Sequence, residues 1–157
     1  MNIHSITPCL WFDNQAEAAA NLYVSVFKNS KIDVISRFGK EGFEHHGQKE
    51  GTVMTVSFQI NGQSFTALNG GPIFEFNESI SFQVFCETQE EIDYYWEKLT
   101  EGGSESMCGW LKDRFGVSWQ IVPSAIVELM SDPLRAERVT KAFMNMRKLD
   151  IEALRKA

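Results

Sequence analysis

Gln120 lies in a stretch whose residues alternate after Gly116. Trp119 and Ile121 point one way along that stretch, and Ser118 and Gln120 point the other. A carboxamide donates and accepts hydrogen bonds at once, so Gln120 can orient a neutral ligand. It carries no charge with which to take a proton. Asn69, Ser81 and Gln83 are of the same neutral kind. Asn69 closes a strand before Gly70-Gly71, and Ser81 and Gln83 share one face of a later strand. Trp110 is the aromatic candidate for a pocket wall.

Catalysis is harder to place. Cys108 is the single nucleophile candidate, and as a nucleophile it needs a base or a helix N-terminus to hold its thiolate. No histidine stands near it in sequence, and a free cysteine is more often a small buried apolar group. Cys9 and Cys86 share parity with helix-facing residues and read as core. His45 and His46 are adjacent, so on an extended chain they face opposite ways and do not readily share a metal. They read as solvated loop residues, and His4 as a residue without a role. Asp113 and Arg114 suit a turn, and no pair of carboxylates has a spacing that suggests general acid–base work. Trp11, Phe74 and Phe76 are further aromatic residues for a flat ligand or an interface.

The elements that must position these groups repeat. Ile6 to Phe12 reads as a strand, and Asn14 with Glu17 as a capping box opening a helix with Ala19, Leu22, Tyr23, Val26 and Phe27 on one stripe. Lys31 to Phe38 alternates, with Ile32 and Val34 on one face. A polar loop runs from Gly39 to Gly51. Thr52 to Ile60 and Gln63 to Asn69 form a hairpin across Asn61-Gly62. Ser79 to Glu87 then restarts the pattern. Thr88 and Glu91 repeat the capping box, Ile92, Tyr95, Trp96 and Leu99 repeat the stripe, and Glu105 to Lys112 reads as a strand leading into the last hairpin. The two boxes lie about 74 positions apart, as in an internal duplication. The tail after Pro123 holds a short helix, an Asp132-Pro133 helix start and a stripe through Val139, Ala142, Phe143 and Met146. Asp150 is placed to cap a last turn. Such a stripe covers either its own sheet or a partner subunit.

The totals narrow the classes. The chain has 157 residues, 43% hydrophobic and 23% charged, with a net charge of -6. This suits a single globular domain and argues against nucleic acid, which requires a basic face. No apolar run approaches the length of a membrane span, and Met1 to Ser5 does not read as a signal peptide. Three cysteines make no disulfide framework, so the expectation is reduced thiols in a cytoplasm.

Ile6-Thr-Pro-Cys-Leu-Trp-Phe-Asp13, Leu68-Asn-Gly-Gly-Pro72, Ser81-Phe-Gln-Val84 with Glu90-Glu-Ile-Asp93, and Cys108 to Pro123 together resemble the vicinal oxygen chelate (VOC) superfamily. This superfamily includes glyoxalase I, extradiol dioxygenases, and bleomycin and fosfomycin resistance proteins. The nearer resemblance is to its PhnB-like branch, also labelled 3-demethylubiquinone 3-methyltransferase-like. It implies an α+β fold of two βαβββ modules, here 1–71 and 77–123, forming a curled, open-barrel mixed sheet around a cavity. A helical extension, 124–157, follows. The superfamily's metal positions then fall on Ile6, Asn69, Ser81 and Gln120, a set that lacks imidazole, thiolate and carboxylate. The implied protein binds a small organic ligand in a metal-free cavity through Asn69, Ser81, Gln83, Trp110 and Gln120. It has no cofactor, forms a homodimer and has no nucleic-acid or membrane partner. The alternative is a lyase-, isomerase- or dioxygenase-like enzyme with a divergent site. The methyltransferase label finds no support, because Gly-Gly-Pro is not a nucleotide-binding loop.

Overall fold

The computed structural model describes residues 6–157, so His4 lies outside the described residues. The chain divides into two compact units, Met1–Glu75 and Phe76–Ala157.

The first unit contains β1 (Cys9–Phe12), α1 (Ala16–Val26), β2 (Lys31–Arg37), α2 (Phe43–His46), β3 (Val53–Ile60) and β4 (Gln63–Asn69). Its sheet has the order β1-β4-β3-β2. β1 runs parallel to β4 and the other neighbours are antiparallel. Helix α1 packs on β3 and β4. Ala16, Ala19, Ala20, Tyr23 and Val26 are buried on the helix, and Val56, Phe58, Phe65 and Ala67 on the strands. The alanines let the backbone come close and leave room for aromatic packing. Tyr23 and Phe58 stack with centroids 6.0 Å apart, and Phe58 and Phe65 at 5.4 Å. Burying each Phe side chain contributes about 1.5–3 kcal/mol. This packing decides which face stays open. Asn61 (φ 46°) and Gly62 (φ 81°) make the expected hairpin turn with both residues left-handed.

Two local expectations change. Asn14 does not start α1. The residue ahead of the helix is Gln15, and among the described residues its side chain caps no helix amide. The Ala16 N–H instead donates to Asn69 Oδ1 at 2.8 Å. In β2 the register shifts between Ile32 and Val34. Ile32 lies opposite Phe58 and Val34 opposite Ser57, so the two side chains lie on opposite faces. The extra residue, Asp33, resets the alternation as a bulge does.

The second unit contains β5 (Phe82–Cys86), α3 (Gln89–Thr100), β6 (Ser104–Glu105), β7 (Trp110–Lys112), β8 (Ser118–Pro123), α4 (Ile126–Leu129), α5 (Pro133–Phe143) and α6 (Ile151–Lys156). Its sheet order, β5-β8-β7-β6, repeats the first, with a parallel pair followed by antiparallel neighbours. The fold is α+β, with two four-stranded mixed sheets, neither closed into a barrel. The cap half of the second capping box forms, with Glu91 N donating to Thr88 Oγ1 at 3.3 Å, while the Glu91 carboxylate reaches one residue past the cap and accepts from Glu87 N at 2.8 Å.

The expected strand from Glu105 to Lys112 is broken. Cys108 (φ 61°) and Gly109 (φ 81°) are both left-handed, and Trp110 N donates to Met107 O at 3.1 Å. This is a tight turn, and Gly109 permits it. A Cβ at Gly109 would lie 2.7 Å from Ile121 O, closer than a side chain can approach.

The tail packs largely on itself. Leu129, Val139, Leu149 and Leu154 are buried in one cluster flanked by Ala142, Phe143 and Met146. Asp132 and Asp150 cap α5 and α6, accepting from Arg135 N and Ala153 N at 2.8 Å each. The tail is fastened to the rest of its unit by backbone bonds, Cys108 N to Met146 O and Gly109 N to Arg147 O, both 2.7 Å. Gln89 adds a side-chain clamp, donating to Leu149 O at 3.1 Å and accepting from Ile151 N at 2.9 Å. Among the described residues no helix is long and apolar enough to cross a membrane.

Candidate functional site

The last hairpin sets the site. Asp113 is 3% exposed, and its Oδ1 accepts from Phe115 N at 2.9 Å and Val117 N at 3.1 Å. Its Oδ2 accepts from Trp119 Nε1 at 2.9 Å. The carboxylate thus ties the turn to the buried indole. With Trp119 and Ile121 buried in the core, strand alternation puts Gln120 on the opposite face.

There the register lines up Gln83 of β5, Gln120 of β8 and Trp110 of β7. Gln83 Nε2 donates to Gln120 Oε1 at 3.3 Å, and Gln120 Nε2 donates to Ser81 Oγ at 2.8 Å. Four of the residues read from the sequence, Ser81, Gln83, Trp110 and Gln120, are therefore brought together. Each carboxamide has further donor or acceptor capacity beyond these bonds. The row is uncharged and polar, with an indole beside it. It can hold and orient a ligand by hydrogen bonding; proton transfer and ion binding need other groups.

Asn69 lies elsewhere. Phe65, Ala67 and Asn69 alternate on the buried, helix-covered face. Asn69 Oδ1 receives Ala16 N–H at 2.8 Å, and Nδ2 donates to Val53 O at 3.0 Å. The side chain expected on the open face instead joins α1 to β3. Register also shows what the sequence concealed. β1 ends with Phe12 opposite Asn69, and β5 ends with Cys86 opposite Pro123. Asn69 thus corresponds to Pro123. The positions matching Gln83 and Gln120 are Cys9 and Thr66, themselves paired. Counting back from the strand end before each helix would have found them.

The cysteines divide by environment. Cys86 is buried, and burial, reinforced by Glu91 and Glu87, pushes its pKa up to about 12; such a thiol stays protonated at neutral pH. Cys9, read as core, is exposed, because Leu10 and Phe12 take the covered face. Cys108 sits in the turn and so does not share strand parity with Trp110. The remaining candidates have local tasks. Trp11 Nε1 donates to Gly71 O at 2.9 Å, and its ring meets Phe74 edge-on at 5.1 Å. A Cβ at Gly70 would come within 2.1 Å of that indole, so Gly-Gly-Pro serves Trp11. Gln48 N donates to His46 Nδ1 at 2.9 Å, while His45 is exposed.

The four positions that the resemblance assigns to a metal carry no imidazole, thiolate or carboxylate. Ile6 is alkyl and 85% exposed, Asn69 is engaged on the other face, and Ser81 and Gln120 bond to each other. Among the described residues no group of three or more His, Cys, Asp or Glu is placed to hold a metal ion.

Residues 4–122 match the family profile described as 3-demethylubiquinone-9 3-methyltransferase. The chain belongs to that family. Among solved structures, a PhnB protein from Bacillus cereus whose name carries the same methyltransferase label is 38% identical. The match covers 77% of this chain and 100% of that one, with a TM-score of 0.68. A protein from Pseudomonas aeruginosa is 20% identical over 77% of this chain and 98% of its own, with a TM-score of 0.62. The fosfomycin resistance protein FosX from Listeria monocytogenes is 17% identical over 84% of this chain and all of its own, with a TM-score of 0.53. These last two share the fold. No curated protein sequence matches the chain. The family is thus the PhnB-like one that the sequence resembles.

Proposed function

We propose that this PhnB-like chain, as one VOC-type domain, binds a small organic ligand without a metal. The ligand lies on the Ser81–Gln120–Gln83 row with Trp110 at its side. The observation that carries this reading is the bonded row itself, in which Gln120 bridges Ser81 at 2.8 Å and Gln83 at 3.3 Å. Side chains so linked hold one another in place before a ligand arrives, which lowers the entropy lost on binding. Neutral groups favour binding over catalysis here, because general acid–base work needs a titrating side chain.

Ligand-detected NMR on a panel of small organic molecules tests the reading. Gln120→Ala removes a ligand contact and leaves Ser81 and Gln83 without their partner. Each lost neutral hydrogen bond is worth about 0.5–1.5 kcal/mol, so affinity for any hit should fall by about tenfold. Equal affinity in the variant would overturn the Gln120 row as the ligand site, and near-stoichiometric zinc, iron or manganese that Gln120→Ala releases would overturn the metal-free reading.

The same reading includes a homodimer in the cytoplasm. Val139 is buried within its own chain, so the tail stripe gives no reason for association. Ile73, Phe74, Ile80 and Phe85 are among the exposed apolar side chains, the kind of surface that a second copy covers. Sedimentation showing only monomer at tens of micromolar would reject the dimer. Three free thiols suit a reducing compartment.

A further inference from the structure

The second sheet carries another row two residues along β8. Ser118 lies opposite Lys112 of β7, and Lys112 lies opposite Ser104 of β6. These residues, with Glu78, Glu105 and Trp110, line a cleft of about 180 Å³. Two observations bear on what it takes. Ser118 is 1% exposed, and among the described residues its Oγ has no hydrogen-bond partner. A buried hydroxyl left unpaired is destabilising, and folded proteins leave few of them. The charged groups of the cleft, in contrast, are already engaged. Lys112 Nζ lies 2.6 Å from Glu78 Oε1, and Lys112 holds the Glu78 carboxyl below its ordinary pKa. Glu105 Oε1 accepts from Trp96 Nε1 at 2.9 Å, and Oε2 lies 3.6 Å from Arg147.

Beside the indole the cleft offers the neutral hydroxyls of Ser104, Ser106 and Ser118, each able to donate and accept, and the buried one without a partner is that of Ser118. We propose that this cleft is a subsite for an uncharged hydroxyl- or amide-bearing part of the ligand. Ser118 Oγ is its hydrogen-bond partner and Trp110 its wall. An anion would meet the like charge of Glu78 beside Lys112, and an ammonium group the like charge of Lys112 beside Glu78. An uncharged group meets neither repulsion. A volume of about 180 Å³ has room for a short amide or diol arm. The inference rests on the ligand-binding reading of the Gln120 row, because Trp110 borders both.

Three probes of nearly one shape separate the charge classes: propionamide, propionate and propylammonium. Each is titrated into the ¹⁵N-labelled full chain while the Trp110 indole resonance, assigned with Trp110→Phe, is followed. Propionamide should shift it saturably with at least tenfold higher affinity than either ion. Ser118→Ala should weaken propionamide about tenfold. The same substitution should raise Tm, since it removes the orphaned hydroxyl. Tighter binding of propionate or propylammonium overturns the proposal. So does full propionamide affinity in Ser118→Ala, a lower Tm in that variant, or an indole resonance that no probe moves. Propionamide binding that needs Gln120 but not Ser118 removes the subsite and keeps the ligand row. Binding that needs Ser118 but not Gln120 removes the row and keeps the subsite.

Discussion

Asp113→Ala should destabilise the protein by about 4 kcal/mol, a large part of the roughly 5–15 kcal/mol that holds a domain folded. The carboxylate is 3% exposed and accepts three hydrogen bonds, from Phe115 N, Val117 N and Trp119 Nε1. Bonds to a charged acceptor are worth about 1.5–3 kcal/mol each, and their sum is less than additive. Truncation leaves the Trp119 indole N–H inside the core without its acceptor. Asp113→Asn separates charge from shape. All three partners are donors, so the amide nitrogen must face one of them, and the expected loss is about 1–3 kcal/mol. Urea unfolding followed by circular dichroism reads both values. An alanine variant within about 1 kcal/mol of the parent would show that the turn holds without its carboxylate. The effect should also reach the ligand row. Trp119 and Gln120 are consecutive in β8, so an indole freed from Asp113 lets Gln120 turn away from Ser81.

The parts legible in the sequence were those fixed by local chemistry. Asn61-Gly62 can hardly be anything but a hairpin turn, since both residues tolerate positive φ. The Thr88–Glu91 cap, the Asp132-Pro133 start and the Asp150 cap each follow from side chains within three residues of the amides they serve. The repeat was legible because both modules must bury a helix stripe on a sheet. The opposite faces of Trp119 and Gln120 followed from a strand with no interruption.

Expectations failed where one residue changed the count. The bulge at Asp33 moved Val34 from its expected side, and the turn at Cys108-Gly109 took Cys108 out of the expected strand. Gly109 in a supposed strand interior was the available signal for the second. The first had no such marker. Cys9 was misplaced because its face of β1 was taken as the covered one, whereas Leu10 and Phe12 are the buried residues. The orphaned Ser118 could not be read at all, because whether a hydroxyl finds a partner depends on what the fold brings near it.

Asn69→Ala should cost about 2–4 kcal/mol and act on the first unit. In sequence Asn69 resembles a ligand residue: polar, at a strand end, before two glycines. In the fold its carboxamide is a cap supplied from 53 residues away, with Oδ1 on Ala16 N–H and Nδ2 on Val53 O. It does for α1 what Asn14 was expected to do. Losing a helix cap costs about 1 kcal/mol. Leaving a buried amide and a carbonyl unpaired adds about 1–3 kcal/mol for each group that water does not reach. Asn69→Asp keeps the acceptor for Ala16 but turns an oxygen toward the Val53 carbonyl, so it should destabilise as well. Hydrogen exchange separates a structural role from a binding one. Protection in the first turn of α1 should fall in both variants, while propionamide at Trp110 should bind as it does in the parent chain. If exchange at Ala19 and Ala20 is unchanged and ligand affinity drops instead, Asn69 acts as a binding residue and the cap assignment fails.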